Sequence, residues 1–195
     1  MRLVLVAGFL GSGKTTFSIN LARAAVARGK RVAILVNEIG EIGMDDQLMR
    51  QLDLNVWELF GGCICCTLSA DLVSTLQDLD AKHPVDLVIL EPSGAAEPGN
   101  ILKALPYYRG RPLSIKSLTI LDPLRLEALY QVLNPLITRQ IDGAEILLIN
   151  KLDAATADEL AAAQRIATEV NPRARVWTLS ARAELDPALV AELVP

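Results

Sequence analysis

The chain has 195 residues, of which 51% are hydrophobic and 22% charged, and its formal net charge at pH 7 is −4. This composition is typical of a globular protein with one sizeable core, and the acidic balance argues against a general nucleic-acid binder, which would carry a basic stripe. No apolar run reaches membrane-spanning length, and the three cysteines, packed together at 63–66, do not form a disulfide framework. We therefore expect one domain in a reducing cytoplasm.

Short apolar runs rich in β-branched residues alternate with longer helical patterns. Six strands are predicted, at 2–7, 31–37, 85–91, 116–122, 145–150 and 175–180. Helices are predicted near 14–28, 68–82, 123–139 and 155–170. Several strands are apolar at consecutive positions, which indicates burial on both faces, as in a parallel sheet. The pattern predicts an α/β fold with a doubly wound, mostly parallel sheet between two helical layers, as a single domain over 1–195.

A glycine-rich loop, GFLGSGKTT, follows the first predicted strand and opens the first helix. Gly8, Gly13, Lys14 and Thr15 match G-x-x-x-x-G-K-[ST] at every fixed position. Such a loop points backbone N–H groups at phosphate oxygens, and the positive end of the helix adds to that field. We expect Lys14 to reach the β- and γ-phosphates and the Thr15 hydroxyl to ligate Mg²⁺.

The segment NKLD, at 150–153, follows a later strand and predicts the choice of base. The Asp153 carboxylate can accept hydrogen bonds from N1–H and the exocyclic amine of guanine, whereas adenine lacks both donors there. Lys151 can cover the base with its aliphatic stem, and Asn150 can brace the phosphate loop. The backbone at Ser180 and Ala181 is expected to donate to the guanine O6. A phosphate-transferring kinase is the enzymatic alternative, which the guanine signature disfavours.

The segment VILEPSG, at 88–94, supplies the acidic strand end that accompanies a phosphate loop. We expect Glu91 to hold Mg²⁺ through water and the Gly94 N–H to sense the γ-phosphate. No glutamine follows to orient an attacking water, so intrinsic hydrolysis is predicted to be slow, below roughly 1 s⁻¹ without a partner.

Cys63, Cys65 and Cys66 form a C-x-C-C motif behind two glycines. Three thiolates in one turn supply most of a tetrahedral shell and favour Zn²⁺, Co²⁺ or Cu⁺ over Mg²⁺. The candidate fourth ligand is water, Glu38 or Glu41. The two glutamates belong to the acidic stretch at 37–48. Buried structural cysteines and a redox pair remain the alternatives.

Four further features carry weaker expectations. His83, the only histidine, is expected at the surface. Trp57 and Trp177 are expected on strands and in the core, and the segment PYYRGRP at 106–112 is either a partner-binding loop or a solvated connection.

Together, GFLGSGKTT, NEIGEIGMDD, GGCICC, EPSG and NKLD resemble the CobW-like family of P-loop GTPases, which is related to the urease- and hydrogenase-maturation GTPases. The resemblance covers about 7–181 and implies a P-loop NTPase fold and delivery of Zn²⁺ or Co²⁺ to a client protein or cobalamin-type pathway. By position it assigns phosphate binding to the run Gly11, Ser12, Gly13, Lys14, Thr15 and Thr16. It assigns metal binding to the three cysteines and base selection to Asn150, Lys151 and Asp153, and it places Glu38 near both metal and γ-phosphate. Many family members carry a smaller C-terminal domain and a histidine-rich tract; we expect neither in this protein.

These observations predict a GTP-dependent metal chaperone that uses GTP and Mg²⁺ and carries Zn²⁺ or Co²⁺. A GTP-gated assembly factor for a cobalamin- or corrinoid-dependent enzyme is the alternative from another class, and a passive metal-binding module is a third. A client metalloprotein is the expected partner, and a nucleotide-dependent homodimer is a further expectation.

Overall fold

The computed structural model describes residues 1–36, 55–58, 67–110 and 113–195, with the backbone alone at 55–58 and 67–71. Within these ranges the strands are β1 (Arg2–Gly8), β2 (Val32–Val36), β3 (Asn55–Glu58), β4 (Leu87–Glu91), β5 (Ser114–Leu121), β6 (Ile146–Ile149) and β7 (Arg175–Thr178). The α-helices are α1 (Lys14–Ala27), α2 (Thr67–Lys82), α3 (Pro98–Leu102), α4 (Pro123–Val132), α5 (Asn134–Asp142), α6 (Ala157–Val170) and α7 (Pro187–Leu193). A 3₁₀ turn lies at Leu105–Tyr107.

The seven strands form one sheet in the order β3-β2-β4-β1-β5-β6-β7, and every pairing is parallel. The central strand β1 runs in register with β5 from Arg2 opposite Ser114 to Gly8 opposite Ile120. In a parallel sheet all strands end at the same edge, and ligands bind there, near the point where strand order reverses. The loops that follow β1, β4, β5, β6 and β7 therefore meet at one edge.

Helices cover both faces of the sheet. Alternate residues of the strands pack against α1 and α7 on one face, through a core that includes Phe17, Leu21 and Leu189. On the other face, one cluster packs α2 and α3 against β1, β2 and β4, and a second packs α4, α5 and α6 against β5 and β6. This confirms the predicted three-layer α/β/α fold with its doubly wound parallel sheet. Among the described residues, the helices are all too short or too polar to cross a membrane.

The structure corrects two of the local predictions. The helix predicted at 123–139 is two helices, which part at Leu133 because Pro135, in the first turn of α5, cannot continue α4. The segment at 106–112 is described as far as residue 110, and that part is not simply solvated: Tyr107 is exposed, but Tyr108 is buried in the core beside α2.

The remaining aromatic and imidazole side chains largely follow expectation. His83 is exposed. Trp177 lies on β7 and is half-buried against the α1 face of the sheet, so it is less enclosed than predicted. Trp57 lies on β3, as expected, and its side chain falls outside the described part of the chain.

Candidate nucleotide site

The phosphate loop begins where β1 leaves the sheet at Gly8. Gly8 has a φ of +142°, and a Cβ atom there would lie 2.5 Å from the carbonyl oxygen of Ile120 on β5. Real Cβ atoms do not approach a backbone oxygen so closely, and L side chains rarely adopt this φ. The first glycine of the motif is therefore required by the close packing of the loop against the central strands.

The second half of the loop turns on Gly11 and Gly13, whose φ angles are +71° and +101°. Gly13 precedes α1 in a left-handed conformation, and no side chain of the described residues caps the helix. The amide donors of the first helical turn are thus left to a ligand, and the helix dipole favours an anion there. The geometry fits a phosphate.

Lys14, Thr15 and Glu91 meet at the base of this loop. The Thr15 hydroxyl donates to Glu91 Oε1 at 2.5 Å, and the hydroxyl of Ser18 donates to Oε2 at 3.0 Å. Lys14 and Glu91 are both buried. Burial raises the pKa of the Glu91 carboxyl group above its ordinary value of 4.5, against the hydrogen bonds from Thr15 and Ser18 and the charge of Lys14, which lower it.

This group has the chemistry of a magnesium site. A threonine hydroxyl and a carboxylate beside a phosphate-binding loop are the hard oxygen ligands that Mg²⁺ prefers. Glu91 stands where the sequence places the acidic strand end, and it reaches Thr15 across the start of α1. The residues present therefore fit the ion.

Ser12 adds a buried polar atom to the loop. Its side chain is 1% exposed, and its hydroxyl oxygen has no hydrogen-bond partner among the described residues. Buried hydroxyls are nearly always hydrogen-bonded in native proteins, so one left unpaired requires an explanation. A ligand in the phosphate loop would supply the missing partner.

Asn150 connects the phosphate loop to the end of β7. Its side chain is 3% exposed; Nδ2 donates to the carbonyl of Ser12 at 2.8 Å, and Oδ1 accepts from the amide of Ala181 at 2.7 Å. The same Nδ2 occupies the space that a side chain at Gly13 would need. Asn150 thus braces the phosphate loop, as the sequence analysis expected. The Ala181 amide was expected to donate to the base, but here it is engaged by Asn150, and the Ala181 carbonyl accepts from Asn20 at 2.6 Å.

Asp153 and Ser180 lie together on the outer side of this loop. The Ser180 side chain donates to the Asp153 carboxylate and, with the Asp153 amide and the charges of Arg182 and Lys151, holds the pKa of Asp153 below its ordinary value of 3.8. Arg182 lies 4.0 Å from the carboxylate, which is 43% exposed. Asp153 is therefore an ionised and accessible acceptor, which is what recognition of guanine N1–H and its amine requires.

Two adjoining cavities follow this edge of the sheet. The first, of about 280 Å³, is lined by the phosphate loop, Val36, Glu91, Pro92, Ser93 and Gly94. The second, of about 340 Å³, which we call the base cavity, is lined by Leu124, Asn150, Lys151, Asp153, Ala154, Ser180, Ala181 and Arg182. Gly11, Gly13 and Thr16 line both. Because they share these residues, the cavities form one groove with the phosphate loop at one end and Asp153 at the other.

The loop after Glu91 approaches the phosphate loop at Gly94. A Cβ atom at Gly94 would lie 2.7 Å from the amide nitrogen of Leu10, so this approach needs glycine. The buried amide of Gln140 on α5 donates to the carbonyls of Gly94 and Ala96, both at 3.0 Å, and Thr119 donates to the Gln140 carbonyl at 2.8 Å. The segment that was expected to sense the γ-phosphate is therefore fastened to α5.

Three residues of this neighbourhood were missed by the sequence analysis: Asp122, Arg125 and Gln140. Asp122 caps α4 and accepts from the side chains of Lys151 and Arg125, each at 2.7 Å. The sequence Asp122-Pro123 carries the signal of a helix start, a capping residue followed by proline. Nothing in the sequence indicates the contact of Asp122 with Lys151 or that of Gln140 with Gly94.

Five predicted ligands of the zinc or cobalt cargo fall outside the described residues: Cys63, Cys65, Cys66, Glu38 and Glu41. Within the part of the chain that is described, no group of three or more His, Cys, Asp or Glu side chains is placed to hold a metal ion. The assignment of these five residues to a metal, and of the groove residues to a nucleotide, stays a prediction.

A parallel sheet whose central strand leads through a glycine-lysine loop into a helix defines a P-loop nucleotide-binding protein. The chain belongs to the CobW/HypB/UreG family, whose nucleotide-binding domain matches residues 2–178. This confirms the family resemblance found in the sequence.

Two curated relatives that the chain resembles are named as zinc chaperones. It is 35% identical over 166 residues to the zinc chaperone YeiR of Escherichia coli, covering 84% of this chain and 50% of the relative. It is 28% identical over 194 residues to the zinc chaperone CobW of Pseudomonas aeruginosa, covering 83% and 51%. The chain thus spans about half the length of these relatives.

Solved structures support the same fold. The Zn(II)-bound YjiA GTPase from E. coli superposes with a TM-score of 0.69 at 22% identity, covering 97% of this chain and 60% of that one. The hydrogenase maturation factor HypB from Archaeoglobus fulgidus has a TM-score of 0.66 at 15% identity, covering 92% of this chain and 81% of that one.

Proposed function

We propose that this chain binds and slowly hydrolyses GTP, and that the nucleotide cycle controls binding and release of Zn²⁺ or Co²⁺ for delivery to a client protein. The observation that carries the nucleotide half is the contact of Thr15 with the buried Glu91, beside Lys14 and at the start of an uncapped helix. The groove that continues from there to Asp153 supports guanine as the base.

The side chains of the groove divide the work of binding. Lys14 and the amides at the start of α1 neutralise the phosphates, and Asn150 keeps the phosphate loop in the shape that presents those amides. Asp153 accepts from the two donors of guanine, and its lowered pKa keeps it ionised. Thr15 and Glu91 would hold Mg²⁺, which, when bound, neutralises charge that develops on the phosphate oxygens. Gly94 lies beside the phosphate loop, where it can respond to the presence of the γ-phosphate.

The metal half rests on the sequence and on the names of the relatives. Cys63, Cys65 and Cys66 supply thiolates for a zinc or cobalt cargo, with Glu38 or Glu41 as a further ligand. The names of the curated relatives, zinc chaperone YeiR and zinc chaperone CobW, support this chemistry. With GTP bound, the segment of Glu38 orders against the γ-phosphate and tightens the thiolate site; hydrolysis releases the segment and loosens the metal. Thiolate ligands require reducing conditions, so we place this function in the cytoplasm.

The proposal extends to assembly and partners. The client is a metalloprotein or an enzyme of a cobalamin-type pathway, the domain over 1–195 acts as one unit, and the nucleotide face supports a homodimer. The proposed client rests on the family resemblance, the single unit on the unbroken series of predicted strands and helices, and the homodimer on the apolar composition of the chain.

A cobalt titration tests the coupling of the two sites. The thiolate-to-Co²⁺ charge-transfer band is followed while Co²⁺ is added to protein with GTP, GDP or no nucleotide, in Mg²⁺-containing buffer. We expect tighter Co²⁺ binding with GTP than with GDP, and by linkage tighter GTP binding with metal. Replacing Cys65 and Cys66 by Ser abolishes the band, while GTP binding stays. Equal cobalt affinity in the GTP and GDP forms overturns the coupling, and a band that survives the replacement overturns the metal site.

A further inference from the structure

Asp122 is a buried carboxylate that joins three segments of the groove. It lies directly after β5, and its side chain is 3% exposed. Oδ2 accepts from Lys151 Nζ at 2.7 Å and from Arg125 Nε at 2.7 Å, and Oδ1 accepts from the Leu124 amide at 3.3 Å. A buried charge is tolerated only when it is paired and hydrogen-bonded, and here both oxygens are used.

Arg125 carries this contact on to the phosphate loop. Its Nη2 donates to the carbonyl oxygen of Leu10 at 2.6 Å, and it lies 3.0 Å from where a Cβ atom at Gly11 would stand. Asp122 is thereby fixed relative to the phosphate loop as well as to the loop that carries Lys151. The planar guanidinium can bridge the two because it presents several donors in a rigid fork.

Lys151 is held in an unusual backbone conformation. Its φ of +59° is the only positive value of a non-glycine residue in the described ranges. Such a conformation persists where surrounding contacts enforce it, and it is often found at ligand sites. The Lys151 carbonyl accepts from the amides of Ala154 and Ala155 at 2.9 and 3.0 Å, while Asp122 holds the ammonium group. Both ends of the residue are held, so the freedom of the aliphatic stem between them is restricted.

Two apolar surfaces beside the base cavity depend on Asp122. The Lys151 stem lines this cavity, and so does Leu124, which is 40% exposed although it is a large apolar side chain. Asp122 holds Lys151 through its ammonium group and Leu124 through its backbone amide. An exposed leucine beside a lysine stem is a surface on which a flat ring can pack.

We propose that Asp122 is a positioning residue for the base: it fixes Lys151 and Leu124, before nucleotide arrives, in the arrangement that contacts the ring. This inference rests on the proposed nucleotide function and extends it, because recognition of the base then depends on α4 as well as on NKLD. A preformed site binds more tightly than a mobile one because less freedom is lost on binding.

The test is a double-mutant cycle between Asp122 and Lys151. Asp122→Asn keeps a side chain able to cap Leu124 but removes the charge that holds Lys151. Lys151→Met keeps an apolar stem and removes the ammonium group. Binding of fluorescent methylanthraniloyl GTP, GDP and ATP is measured by titration, and Glu127→Gln is the control, since Glu127 is an exposed carboxylate on the same helix that pairs with Arg165.

We expect Asp122→Asn to weaken GTP and GDP binding by the same factor, about tenfold, because the base and not the γ-phosphate is affected. In the Lys151→Met background the same change has less than about a twofold effect, since the ammonium group through which Asp122 acts is already gone. Leu124→Ala weakens binding about fivefold, and Glu127→Gln has no effect. Asp122→Ser, which also caps the helix but carries no charge, replaces Asp122→Asn if that variant does not fold.

Each remaining outcome decides between the proposals. If Asp122→Asn lowers the melting temperature but leaves the dissociation constant unchanged, Asp122 is merely structural and the inference is overturned. If its effect is undiminished in the Lys151→Met background, Asp122 does not act through Lys151. If the wild type binds ATP more tightly than GTP, only the guanine assignment is overturned. The double-mutant cycle is then measured with ATP. If no nucleotide binds, both proposals are overturned.

Discussion

Replacing Asn150 by alanine separates the stability of the site from its affinity for nucleotide. The change removes two hydrogen bonds and leaves the buried carbonyl of Ser12 and the buried amide of Ala181 without partners. An unsatisfied buried group costs about 1–3 kcal/mol, so we expect a loss of about 3 kcal/mol in the free energy of unfolding. For a chain of this length that corresponds to a fall of about 6–12 °C in melting temperature. The released phosphate loop is also expected to bind GTP at least about tenfold more weakly.

Asn171→Ala is the matched control. Asn171 is equally buried, and its Nδ2 donates to the carbonyls of Ile141 and Ala144, both at 2.9 Å, at the far end of the sheet from the groove. We expect a comparable loss of stability with a GTP dissociation constant unchanged within about twofold. Thermal and urea unfolding give the first quantity, and titration with fluorescent GTP at 20 °C below the lower melting temperature gives the second. The reasoning fails if Asn150→Ala binds GTP as the wild type does, or if Asn171→Ala weakens binding equally.

Three further substitutions probe the groove. Glu91→Gln is expected to abolish Mg²⁺-dependent GTP turnover. Because burial raises the Glu91 pKa, the folded wild type binds this proton more readily than the unfolded chain does and loses stability as the pH rises from about 4.5 through the raised pKa. The melting temperatures of wild type and variant should therefore diverge over that pH range, and a constant difference would refute the raised pKa. Gly8→Ala places a Cβ atom against the Ile120 carbonyl and should prevent folding or lower the free energy of unfolding by more than about 3 kcal/mol. The control Gly29→Ala, at a φ of +73° but with no atoms nearby, should cost about 1 kcal/mol. Similar melting temperatures for the two variants would contradict the packing argument. Asp153→Asn should weaken GTP binding about tenfold or more and favour xanthosine triphosphate, in which a carbonyl replaces the guanine amine. If competition titrations show that the variant still prefers GTP, Asp153 does not recognise the base.

The sheet could be predicted because its signals are local. β4 reads Leu-Val-Ile-Leu-Glu and is buried at every position, so a consecutive apolar run is sufficient to identify it. The glycine-lysine loop is equally local, since the φ angles that it needs restrict the residue types at fixed spacing. β3 was not among the six predicted strand ranges, although Trp57 was expected on a strand. The run Asn55–Glu58 is only four residues long and has polar ends, and it is ordered by pairing with β2 at the edge of the sheet. Its strand character comes from that partner.

The side chains that fix the groove were harder to predict because their contacts are long-range. Gln140 and Gly94 are 46 residues apart, and Asp122 and Lys151 are 29 apart. No residue pattern at such separations marks a contact in a single sequence. The break between α4 and α5 is different, because Asn134-Pro135 carries a readable helix-start signal that the apolar periodicity of the surrounding segment obscured.

The hydrogen bond between Gly94 and Gln140 has a consequence for how a change of bound nucleotide could be transmitted from the site to the protein surface. Gln140 is buried on α5, and the neighbouring Arg139 pairs with Glu97 at 2.7 Å, so the segment from Gly94 to Glu97 is bound to one helix at both ends. Displacing Gly94 alone would break the hydrogen bonds that the buried Gln140 donates, while displacing it together with α5 preserves them. A partner that distinguishes the two nucleotide states would then find the difference on the outer surface of α5, around Thr138 and Arg139.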